Sequence, residues 1–149
     1  MRKDEIRHGN LFMEYRPATP QLPLTHRVLG FDGECIIVGE HFVAEDTGGT
    51  VGHGDAKAVK VATKVPYEHA VGINLDENKL LRMGFQGIDE DGLMEHAQCT
   101  EFRLQCRTFE EGTYDILLNR KPTGIYVRLV HELQNKFYYL TSEELQVDL

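Results

Sequence analysis

His53 and Asp55 are the pair whose types and spacing come nearest to catalytic chemistry. An imidazole oriented by a carboxylate, here Asp55 with Glu45 or Asp46 close by, is the minimal general base of a hydrolase. The pair lies in the stretch Asp46 to Asp55, which also holds Gly48, Gly49, Gly52 and Gly54. Such a base needs a rigid frame, and four glycines provide the opposite. The same glycines suit another chemistry. Their backbone amides can approach a phosphate closely, and with Lys57 and Lys60 beside them they would let the loop sequester a small nucleotide. No Gly-Lys-Ser/Thr closes the stretch as in a P-loop, and no buried strand and helix flank it as in a dinucleotide fingerprint. It reads first as a hairpin connection, with Gly48, Gly49, Gly52, His53, Gly54 and Lys57 as candidate ligand-binding residues.

Other side chains offer less. His96-x-x-Cys99 followed by Cys106 is half of a zinc site, but a structural zinc takes four ligands in two tight pairs. Asp89-Glu90-Asp91-Gly92 fails as a calcium loop, because Leu93 and Thr100 stand where oxygen ligands are required. No metal or cofactor is expected. His131 cannot face its neighbour Glu132 on a helix, so it reads as a satisfied core histidine or a solvent-facing one. No Gly-x-Ser-x-Gly, His-Glu-x-x-His or Cys-x-x-Cys occurs. The reading leans away from an enzyme.

The elements that would hold these residues can be read from pattern. Leu11 to Tyr15 predicts a strand, interrupted by Pro17, Pro20 and Pro23. His26 to Gly30 resumes it, and Phe31-Asp32-Gly33-Glu34 predicts a hairpin turn. Cys35 to Val38 and His41 to Ala44 read as two strands with Gly39-Glu40 as the turn, and Lys57 to Val65 as another strand. A short helix follows, with Asn74 as N-cap, Glu77 three residues on, and Gly84 as the stop. It is too short to stand alone, so Leu80, Leu81 and Phe85 must pack. Thr100 to Thr108 is the clearest strand, with Phe102, Leu104 and Cys106 on one face and Glu101, Arg103, Gln105 and Arg107 on the other. Tyr114 to Leu118 returns as its partner, and Lys121-Pro122-Thr123-Gly124 reads as the next turn. Ile125 then leads into a helix with Val130, Leu133, Phe137 and Leu140 as its apolar stripe, and Thr141 with Glu144 caps one last helical turn.

The chain has 149 residues, 41% of them hydrophobic, and a formal net charge of −8. That composition fits one globular domain over 1–149, with possible sub-lobes at 6–65 (β-rich) and 72–145 (α+β). No apolar run reaches the ~18–20 residues of a membrane span. Lys and Arg are dispersed, which argues against nucleic acid and suits a partner of basic character. Three cysteines and no export signal point to reduced thiols in a cytoplasmic protein.

The tail from Tyr126 to Leu145 contains His131-Glu132-Leu133-Gln134-Asn135, then aromatic residues, then Leu140-Thr141-Ser142-Glu143-Glu144-Leu145. It resembles a family of small, uncharacterised phage and prophage proteins, in which an HxLQN helix runs into LTxEEL. Ile6 to Asn10 is similar to the LRxGN opening of that family, and Leu75 to Phe85 to its LLxxGF segment. The resemblance implies a phage-borne protein of the bacterial cytoplasm and brings no activity, cofactor or catalytic residue. Read physically, Gln134 and Asn135 can satisfy sheet-edge or loop backbone groups, and Tyr138 and Tyr139 point to different sides, one to pack and one to reach water, while Gln134, Asn135, Tyr138 and Tyr139 together form the candidate interaction surface.

The expected fold is α+β: a β-rich N-terminal sheet or partial barrel, then a helix, a β-hairpin and a packed C-terminal helix. The expected function is that of a non-enzymatic phage or prophage accessory protein binding another protein, as a homo-oligomer or virion-associated piece. The alternatives are a counter-defence protein sequestering a nucleotide and a hydrolase using His53 and Asp55.

Overall fold

The computed structural model describes residues 3–16, 24–44, 58–88, 92–107 and 110–147. The N-terminal half is two short antiparallel sheets. One takes β1 (Leu11–Glu14) between β2 (Leu24–Arg27) and β6 (Ala70–Val71). The other takes β4 (Cys35–Ala44) between β3 (Gly30–Asp32) and β5 (Ala58–Pro66). A backbone bond from Leu29 N–H, just after β2, to Ile37 O of β4 ties the two together into a partial barrel, one of the two forms expected for this half. Ile6, Phe12, Val28, Ile36, Val65 and Ala70 fill it.

Gly39 does not make a turn. β4 is one strand, and between Ile37 and Gly39 its register against β5 slips by one residue, a bulge that bends the strand. Glycine is as much at home in a bulge as in a turn, and sequence cannot separate the two.

The C-terminal half is a five-stranded antiparallel meander in the order β11-β10-β9-β8-β7. Its strands are β7 (Phe85–Gly87), β8 (Leu93–His96), β9 (Phe102–Cys106), β10 (Tyr114–Leu118) and β11 (Lys121–Val127). β9 alternates as read: Phe102 and Leu104 are buried, while Arg103 and Glu101 face outward. Helix α2 (Val130–Thr141) lies on the inner face, with Val130, Leu133 and Phe137 fully buried and Leu140 packed beside them.

Three expectations in this half are corrected. The turn after β10 is Asn119-Arg120, both at positive φ, and Lys121 to Gly124 belong to β11. Pro122 is tolerated because β11 is an edge strand, and Gly124, at φ +74°, sits where three residues of β11 oppose one of β10. Helix α1 (Glu77–Arg82) is capped by Asp76, whose carboxylate accepts the Lys79 N–H at 2.8 Å, while Asn74 bridges to Leu129. Residues 142–147 are not helical: Ser142 takes a left-handed φ of +61° and ends α2, although Leu145 and Val147 still return to the core.

β1 is the wall between the two cores. Phe12 enters the barrel, whereas Leu11 and Met13, on its opposite face, meet the larger cluster under α2.

Candidate functional site

The glycine-rich stretch, with Gly48, Gly49, Gly52, His53, Gly54, Asp55 and Lys57, lies outside the described residues. The second candidate set splits. Gln134 is buried at 3% exposure: its side-chain oxygen accepts Leu11 N–H at 3.0 Å and its amide donates to Gly9 O at 3.3 Å. Asn135 donates to Glu5 O at 2.7 Å and accepts from the Asn10 amide at 3.1 Å. Both side chains are spent on seating residues 5–11, so the interaction surface loses its two amides to an internal clamp. Neither tyrosine packs in the core as one of them was expected to: Tyr138 and Tyr139 are both exposed, Tyr139 at 80%, and the Arg7 guanidinium lies 4.0 Å over the Tyr138 ring while pairing with Glu144 at 2.8 Å.

His131 fits neither reading offered by its sequence. It is 1% exposed, and neither ring nitrogen has a hydrogen-bond partner among the described residues. Burial holds it below the ordinary histidine range, against the pull of Glu132 and Glu5. His96 is buried too, but satisfied: its Nδ1 accepts Cys99 N–H at 3.2 Å, a bond to the Met83 backbone holds it as well, and its ring stands edge-on to Phe85 and Phe137. His96 with Cys99 is thus a pin between α1 and the β8–β9 turn. Cys35, Cys99 and Cys106 are all free thiols. Among the described residues, no group of three or more His, Cys, Asp or Glu side chains is placed to hold a metal.

A histidine–carboxylate pair does occur elsewhere, at a place with little to mark it in the residue pattern. Glu14 is 8% exposed and meets His26 Nε2 at 2.9 Å and Arg16 at 2.8 Å. The Arg16 bond, helped by His26, holds the carboxyl below its usual range against burial. The His26 ring lies 5.6 Å from that of Phe12, so the network borders the small N-terminal core. An acid inside the apolar run Leu11-Phe12-Met13-Glu14-Tyr15 was the one available signal.

On the other face of β1 a groove of about 640 Å³ opens between the β2-β1-β6 sheet and α1. Met13, Thr25, Ile73 and Leu81 line it together with Asp76, Asn78, Lys79 and Arg82, Lys79 being paired with Asp76. Val71, opposite Met13 in register and so on the same face, is 43% exposed, and Leu81 is 50% exposed. Leu81 was expected to pack with Leu80 and Phe85; those two are buried, and Leu81 instead forms one wall of the groove.

No family model, curated protein or solved structure matches this chain.

No helix among the described residues is long and apolar enough to cross a membrane. What the groove can do chemically is bind: it presents apolar side chains already held by a sheet and a helix, with Arg82 and the Lys79–Asp76 ion pair beside them.

Proposed function

We propose that this is a non-enzymatic binding protein that takes a segment of another protein into the groove between β1 and α1. The observation that carries the reading is the half-exposed pair Leu81 and Val71 flanking Met13 and Ile73, apolar surface left open beside a well-filled core. The segment that fits would present one or two apolar side chains followed by a carboxylate for Arg82. The resemblance of residues 126–145 to phage and prophage proteins supports a phage accessory role in a bacterial host, with a host or virion protein as the partner.

Leu81→Asp tests it. Leu81 is half exposed, so the variant keeps its fold, and tagged protein from infected cells should lose a partner that the parent chain and a Tyr139→Ala control both recover. Equal recovery of that partner by Leu81→Asp overturns the groove. Sedimentation showing a dimer that Leu81→Asp dissolves would make the occupant a second copy of this chain.

A further inference from the structure

A second cavity, of about 320 Å³, opens at the far end of the five-stranded sheet, near the lower limit of ~300 Å³ for ligand sites. Glycine makes it. Gly87 follows the buried Phe85 by two residues and so shares its core-facing side of β7, yet it adds no side chain there, and a Cβ built on it would meet nothing within 4 Å. Gly92, at φ +78°, lies against Cys106, where a Cβ would come within 3.2 Å of the cysteine Cβ. The result is a hollow lined by Leu93, Met94 and Cys106, with Tyr114 of β10 and Glu77 of α1 also in its wall.

The polar groups around the hollow agree in sign. Tyr114 is 6% exposed, and burial, joined by Cys106, Asp76, Glu77 and Glu111, pushes its phenol up to about 12, so it stays a neutral hydroxyl at pH 7. Asp76 is engaged by Lys79, whereas Glu77 lines the cavity. An anion entering here would meet acids alone, while a cation would gain a carboxylate and a hydroxyl oxygen.

We propose that this cavity binds a small primary amine with an apolar body, its ammonium between the Glu77 carboxylate and the Tyr114 hydroxyl oxygen and its body against Leu93, Met94 and Cys106. The site shares no lining residue with the β1–α1 groove and does not depend on the reading given to that groove.

The test is a titration of the ¹⁵N-labelled full chain with phenethylamine, set against phenylacetate and 2-phenylethanol, which match it in size. Phenethylamine should shift the amides of Gly87, Leu93, Met94, Cys106 and Tyr114 and saturate. Phenylacetate should bind at least about tenfold more weakly, the worth of one charge-assisted hydrogen bond. Glu77 is exposed, so Glu77→Gln folds normally and should weaken the amine by a similar factor. Gly87→Leu should fill the hollow and abolish the shifts. Three outcomes overturn the proposal: no saturable shift with phenethylamine, equal binding of the amine and the carboxylate, or shifts that spread over the acidic surface and survive both variants.

Discussion

The two cores of this protein are built on different plans. Under α2, the apolar side chains come from uninterrupted periodic segments: β9 and β10 contribute every second residue, and α2 contributes Val130, Leu133 and Phe137. The barrel is instead filled by single residues, Ile6, Phe12, Val28, Ile36, Val65 and Ala70, each from a different element or connection. A periodic core tolerates a local error because neighbours on the same stripe keep their register. A core made of single contributions depends on every bulge and turn that aims them. The difference teaches that the groove beside α1 borders the sturdier core, and that the barrel is where the chain should loosen first.

The strongest way to break that comparison is at the aromatic centre of each core. Phe137→Ala, which removes the ring packed at a tilt against Phe102 with centroids 4.8 Å apart, should cost ~3–5 kcal/mol in urea unfolding and strip hydrogen-exchange protection throughout. Phe12→Ala should cost a similar amount, but protection should fall at β1, β4 and β5 before β9 and β10. Loss at the same rate in all five strands would erase the distinction.

The clamp between the halves comes next. Gln134→Leu leaves Leu11 N–H and Gly9 O without their partner, which should cost ~1–3 kcal/mol and speed exchange at Leu11. A variant as stable as the parent would mean the clamp does not hold the two cores together.

Acid sharpens the comparison, because both buried histidines belong to the larger core or its border. His96 and His131 bind protons less readily folded than unfolded, burial being the main cause in each. The unfolded chain therefore takes up more protons as pH falls past 6.5, and stability should drop from there downward, by up to ~1.4 kcal/mol per pH unit for each histidine. Thermal melts between pH 7.5 and pH 5 of the parent and of His131→Leu would show it, the variant giving the shallower fall. Identical slopes would clear His131.

The smallest effect is a gain. Arg120 takes φ +64° in the two-residue turn between β10 and β11, where glycine is unstrained, so Arg120→Gly should raise stability by up to ~1 kcal/mol. A loss of stability instead would show that the Arg120 side chain contributes more than its backbone strain costs.

Legibility followed the same division. The alternation of β9 and the 3-4-3 stripe of α2 are repeating signals, and both elements stood where their patterns put them. Gly39 and Gly124 misled in one way: each reads as a turn, and each relieves a bulge inside a strand. β7 and β8 are too short to carry a period, and α1 took Asp76 rather than Asn74 as its cap, because two good capping side chains stood within one turn. The groove and the amine cavity were invisible for a different reason. Both are made by residues distant in the chain, and one of them by side chains that glycine does not have.

The clamp between Gln134, Asn135 and residues 5–11 spans 123 to 130 positions along the chain. On a ribosome making the protein from its amino end, the first strand emerges long before the helix that seats it. Residues 5–11 cannot be seated by this clamp until the middle of α2, at Gln134 and Asn135, has been made. The seating of this amino-terminal segment thus comes only after most of the carboxy-terminal half has been made.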